Sequence, residues 1–400
     1  MSLNIIKAIE EALKEGNFRH TTLYHTCDED WKKYTTSFGI PSELINLANL
    51  IEKPHSDIHS NPLFLAKWLV VRAEQVGAQR AYDDLIESCK TSEVTTYNVS
   101  LITGVDFDGK IEFSDGAFYC GFQNLPESIK HNVNEKCMHI SRMNGSHVHP
   151  PFTYLCSPII YSNTPDGDYE NRNKQITTYV KKEHLIVNFL SLFSNSHAPY
   201  IEVRWCLLED HFPLSGIVDT QATSQLESIR PKHYETWREL DIQYVQRLFN
   251  SYMRMEERLR LPIDISLSRR CQAMNTWNNV NKAIDLGIAV ESVLTSPDTT
   301  VQLSLQIRIL GSKLVKANTD ERLKISALLD ALYKVRSSAV HTGTLKPHYR
   351  VKGRGNKIQP NTILDESVDI LGKCLIAIIE MDGLSAEKYE EIWLSEHWQH

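Results

Sequence analysis

The chain has 400 residues, 42% hydrophobic and 23% charged, enough for ordinary buried cores in two or three domains. Its net charge of −7 argues against broad attraction to polyanions, so any nucleic-acid site must be a local basic patch on an acidic body. No run of eighteen uncharged apolar residues occurs, and the first helical stretch mixes acids among its apolar positions. Neither a membrane span nor a secretory leader is therefore expected.

Helical patterning covers most of the N-terminal region, residues 1–92: Leu3 to Glu15, Ser42 to Ile51 after a proline, and Leu63 to Ser88. The period changes at Val94. Val94 to Ile102 alternates with β-branched and aromatic residues, Asp106-Phe-Asp-Gly109 has turn composition, and Ile111 to Cys120 reads as a second strand. Tyr161 to Asn173 reads as a polar loop and Tyr200 to Leu208 as another strand, so residues 93–230 are expected to form a mixed α+β domain. Helical composition returns from His233 to Arg260, and Pro262 marks the end of a connector, residues 231–263.

Residues 264–400 read as a four- or five-helix bundle. Ser266 to Leu294 is expected to be one long helix, with Trp277, Val280, Ile284, Ile288 and Val293 at helical spacing. Asp298 or Thr299 is expected to cap a helix reaching about Lys316, Asp320 to cap the next, and Leu364 to Met381 to form the fourth. The fold class is mostly α with a smaller α+β portion. Eight cysteines without close pairs favour free thiols in a reducing cytoplasm.

The third helix of the bundle ends in Ala331-Leu-Tyr-Lys-Val-Arg336-Ser-Ser-Ala-Val-His341-Thr-Gly343. A permanent cation beside a titratable base is the pair that phosphodiester cleavage needs. With 16 His in the chain, this spacing arises by chance roughly once, and Arg142-Met-Asn-Gly-Ser-His147 is such a match. Its Asn144-Gly145 is a turn signal that keeps it out of a helix, whereas Arg336 and His341 sit on a helical pattern. From Ala331 to Leu364 the chain carries seven basic residues and no Asp or Glu. Lys346, Arg350, Lys352, Arg354 and Lys357 are candidate phosphate contacts, and Tyr349 is a candidate stacking platform for a base.

Three blocks carry a family resemblance: Arg269-Arg270 with Lys282 to Leu294, Gln306-Ile-Arg308-Ile-Leu310, and Leu332 to Gly343. In order and spacing they resemble the HEPN superfamily (higher eukaryote and prokaryote nucleotide-binding), specifically the ApeA-like branch of bacterial anti-phage ribonucleases. The resemblance covers about a third of the chain, and the Leu101-to-Phe122 hairpin is a looser match to regions that accompany this domain. It implies metal-independent RNA cleavage at a cleft formed by two HEPN domains, with Arg336 and His341 catalytic and no cofactor. It also implies supporting roles for Asp285 and Glu291 in orienting Arg336. Ser337 stands where Asn, Asp or His is frequent in the superfamily, and Gly343 comes one residue late after the histidine. The expected partners are RNA, including tRNA loops, a second copy of the chain, and a regulatory protein or phage trigger at the N-terminal region.

Imidazole titrates near 6.5, so His341 suits general base or acid chemistry at a ribose 2′-OH. A guanidinium fork suits the charge that builds on the phosphorane oxygens, which is the role expected of Arg336. Two other classes compete: a HEPN module that binds RNA, a nucleotide or a protein without turnover, and a metal hydrolase at Cys137, His139, His147 and His149. Further His and Cys lie at His20, His25, Cys27, His55 and His59. No CxxC pair or His-Glu-x-x-His accompanies them, so ordinary histidines are expected there rather than a metal site.

Overall fold

The computed structural model describes residues 2–15, 62–88, 93–130, 133–134, 137, 152–162, 169–208, 220–222, 235–296, 302–315, 318–355 and 357–395. The described chain is mostly helical with a small antiparallel sheet. Near the N-terminus, α1 (Ser2–Glu15), α2 (Pro62–Val76) and α3 (Ala78–Ser88) bury Ile5, Ile9, Leu69, Val70 and Leu85 in a core of their own. The expected single helix from Leu63 to Ser88 is broken at Gly77, whose φ of 89° only glycine adopts without strain. The helix expected at Ser42 to Ile51 lies outside the described residues.

Six strands form an antiparallel sheet: β1 (Glu93–Thr103), β3 (Lys110–Glu112), β4 (Phe118–Gly121), β5 (Thr153–Ser162), β6 (Tyr200–Leu208) and β7 (Thr220–Ala222), in spatial order β3-β4-β5-β1-β6-β7. Val105–Asp106, here β2, pairs instead in parallel with β8 (Glu235–Thr236). The strand expected from Ile111 to Cys120 is two strands, because Asp115 accepts from the Ala117 N–H and Gly116 turns at φ 84°. Alternation along the sheet divides two cores. Val99, Leu101, Phe118, Cys156 and Trp205 face one side with Leu125 and Ile129. Ile102, Tyr119, Leu155 and Ile201 face the other, under α4 (Tyr169–Leu190), whose first residues fall within the expected polar loop.

The second core continues without a break into a helical bundle. The bundle consists of α5 (Ile242–Arg254), α6 (Glu257–Asn275), α7 (Asn279–Leu294), α8 (Leu303–Leu314), α9 (Thr319–Thr342), α10 (Pro360–Glu380) and α11 (Ala386–Leu394). Three differences from the sequence expectation have local causes. The long helix from Ser266 to Leu294 is interrupted at Thr276–Asn278, because the Asn278 side chain accepts from the N–H groups of Val280 and Asn281 and starts α7 afresh. Trp277 stands at that break, 52% exposed rather than in an apolar stripe. Pro262 lies inside α6, so the connector expected to end at residue 263 runs into the bundle within one helix. Asn318 rather than Asp320 caps α9, in a reciprocal box with Glu321.

Helix α7 is the centre of the bundle, packed against α6, α9 and α10. Its Ala283, Leu286, Ala289, Val290 and Val293 are buried with Leu328, Leu332, Val335 and Ala339 of α9. Each Leu or Val among them contributes about 1.5–3 kcal/mol through lost hydration. This contact sets the azimuth of α9, and with it the direction of Arg336.

Candidate active site

The α9 helix ends where Gly343 takes a left-handed conformation, φ 66°, and donates its N–H to Ala339 O. Gly343, one residue late in the sequence pattern, is thus the helix C-cap. Arg336 and His341 are five residues apart, about 7.5 Å along the axis and about 140° around it. They therefore leave the helix in different directions. Arg336 leans onto α7, where its Nη2 donates to Glu291 Oε2 at 3.1 Å, with the two side chains 26% and 23% exposed. His341 stands exposed in the last turn, beside exposed Val340.

Glu291 therefore pairs with Arg336. Asp285 does not. Its carboxylate accepts from Arg269 Nη1 at 3.0 Å, and burial raises it above the usual carboxylate range while Arg269 pulls it back. A close neighbour of the Arg336 stem is a residue that sequence reasoning passed over. Gly287 faces it so directly that a Cβ there would stand 2.3 Å from Arg336 Cγ. The available signal was a lone glycine inside a strong helical pattern. Ser337 is partly exposed one residue on from Arg336.

The basic stretch after the site is folded rather than a loose loop. Short strands β9 (Tyr349–Arg350) and β10 (Lys357–Ile358) pair antiparallel, and Tyr349 and Val351 are buried in the bundle core. One expected RNA contact is thereby corrected, and a second already has a carboxylate partner. Tyr349 is 6% exposed and its hydroxyl accepts from the Lys346 N–H, so its ring offers no face to a base. Arg354 forms a two-bond fork with Glu366, at 2.8 and 2.6 Å, which neutralises it and holds the guanidinium more firmly protonated. Lys346, Arg350, Lys352 and Lys357 remain exposed. Acids absent from residues 331–364 also arrive through space: Lys334 pairs with Asp330, Arg336 with Glu291, and Arg354 with Glu366. Four of the seven cations, Lys346, Arg350, Lys352 and Lys357, are exposed with no carboxylate partner among the described residues.

Arg269-Arg270, quoted together in the sequence, divide their labour. Arg269 reaches Asp285, whereas Arg270 is fully buried and donates to the carbonyls of Val368, Ser191 and Ser194. Burial lowers the Arg270 guanidinium to about 10, and no carboxylate touches it among the described residues. It ties the turn after α4 to the bundle.

Of the alternative metal ligands, Cys137 is buried with its thiol against the Tyr154 hydroxyl, and burial pushes that thiol up to about 11. A protonated thiol is a poor ligand. His139, His147 and His149, with His20, His25, Cys27, His55 and His59, lie outside the described residues. Among the described residues no group of three or more His, Cys, Asp or Glu converges as a metal site. Cys120, Cys137, Cys156, Cys271 and Cys374 are buried and form no disulfide among the described residues. No described helix is long and apolar enough to cross a membrane.

Comparison with protein-family models, with curated proteins and with solved structures found no match to this chain.

Proposed function

We propose that the chain is a metal-independent endoribonuclease of the HEPN type, acting as a dimer with Arg336 and His341 as its catalytic residues. The observation that carries this reading is the seating of Arg336. A guanidinium held by Glu291 at a helix end stands on the same last turns as an exposed imidazole, with four exposed cations in the hairpin that follows.

In the proposed reaction His341 takes the proton of a ribose 2′-OH, and the 2′-oxygen attacks the adjacent phosphorus. The bond to the 5′-oxygen breaks as that oxygen receives a proton from the second copy's imidazole. The products are a 2′,3′-cyclic phosphate and a 5′-hydroxyl. Arg336 stabilises charge on the non-bridging oxygens; it spends one bond on Glu291 and its remaining terminal N–H groups suit phosphate. Because Arg336 leans inward and His341 outward, two chains meeting at the exposed Val340 side would complete the cleft between them. Single-stranded RNA or tRNA loops are the proposed substrate, and a toxin-like or anti-phage role suits such an activity. Residues 1–230 would sense a trigger or bind a regulator.

The second reading, a binding module without turnover, draws on the same ion pair, since a guanidinium already satisfied by Glu291 answers a phosphate less strongly. Expression of wild type, Arg336→Ala and His341→Ala separates the two. Growth arrest by wild type that both variants relieve supports the enzyme; arrest that persists in both sinks it.

A further inference from the structure

The carbon stem of Arg336 crosses α7 at Gly287, four residues before Glu291. Positions four apart share a helix face, so α7 presents a gap and then a carboxylate along one line. An added Cβ at Gly287 would stand 2.3 Å from Arg336 Cγ and 3.2 Å from both its Cβ and Cδ. The atom it would strike is close to the α9 backbone, not at the free end of the chain. Relief therefore needs a new χ1, which swings the guanidinium away from Glu291.

The two other tight glycines on bundle helices have different neighbours. Gly311 meets leucine side chains, and Gly372 meets the guanidinium of Arg270. Only at Gly287 do the nearest atoms all belong to the candidate catalytic arginine. A glycine in mid-helix gives up backbone entropy that alanine would not, so packing alone would favour the larger residue unless the gap is used.

We infer that Gly287 is a positioning residue of the Arg336 site: the missing side chain forms the slot that fixes the arginine stem, and Glu291 fixes its head. The catalytic half of this inference rests on the ribonuclease reading; the slot itself does not. The test is a cycle of four full-length proteins: wild type, Gly287→Ala, Arg336→Ala and the double variant. They are assayed for cleavage of a fluorogenic single-stranded RNA and for thermal unfolding.

Gly287→Ala should lower kcat at least ~10-fold with KM within about twofold, as displacement of a transition-state group does. The Arg336→Ala background should not cleave, so there the same change is read by thermal unfolding. Its thermal effect should reverse, from neutral or destabilising with Arg336 present to a gain of about 1–2 °C without it, since only helix propensity is then left. Wild-type rates in Gly287→Ala, or equal Tm shifts in both backgrounds, would overturn the inference. If wild type cuts no RNA, the ribonuclease reading fails, and the thermal cycle alone decides the slot.

Discussion

At the scale of single residues, partners in space redefine what the sequence offers. Tyr349 beside five basic residues resembles a stacking platform, yet its ring is in the core and its hydroxyl receives the Lys346 N–H. Truncation to Ala should therefore destabilise the protein by about 3–5 kcal/mol, as for a buried aromatic. Tyr349→Phe should cost about 1 kcal/mol and leave RNA affinity unchanged. Thermal unfolding and a fluorescence-anisotropy titration with single-stranded RNA check both; loss of affinity in a folded Tyr349→Leu variant that Tyr349→Phe does not share would restore the base-stacking role. Arg354 makes the same point for charge: residues 331–364 contain no acid, but Glu366 reaches back to it from the next helix. Sequence windows do not show that kind of neutralisation.

Among the elements, α9 was legible because its apolar positions and terminal glycine agree, although Asn318 rather than Asp320 caps it, and β1 and β6 because their β-branched and aromatic composition reads through the irregularity at Leu101/Ile102. The break between α6 and α7 was not. Asn278 competes for backbone N–H groups through its short side chain, and that local choice overrode a period that continued across it. The polar start of α4 also hid a helix whose buried apolar residues among those described, Ile186, Val187, Phe189 and Leu190, lie near its end.

Farther up α4, Glu183 is buried against Arg204 of β6. His184 of the same helix touches that arginine, and Tyr179, one turn earlier, meets Ser100 of β1. Ser157 of β5 is buried on the same sheet face. Burial pushes the Glu183 carboxyl from 4.5 up to about 7 against the pull of Arg204. The folded protein thus retains a proton that the unfolded chain releases. The stability this provides is full below pH 4.5 and is lost as pH rises through about 7. Tm should accordingly fall between about pH 5 and pH 8, and Glu183→Gln should flatten that slope. An unchanged slope in the variant would show that Glu183 does not titrate in this interval.

For the molecule as a whole, the sheet and the helical bundle share one continuous core, joined at the fully buried Arg270. A domain break near residue 263 was expected from Pro262, but the proline is absorbed inside α6, and the connection is packing rather than a linker. That core runs from the described strands and α4 to α7, the helix that seats Arg336. The acidic body with its narrow band of exposed cations, Lys346, Arg350, Lys352 and Lys357, suits a site that engages one stretch of RNA rather than coating it.

The central claim is tested most directly by incubating purified wild type, Arg336→Ala and His341→Ala with single-stranded RNA in the presence of a chelator and determining the chemistry of the new ends. The account predicts 2′,3′-cyclic phosphate and 5′-hydroxyl ends from wild type, at a rate the chelator leaves unchanged, and none from either variant. Cleavage that stops with chelator, leaves 5′-phosphate ends or survives in the variants would contradict it.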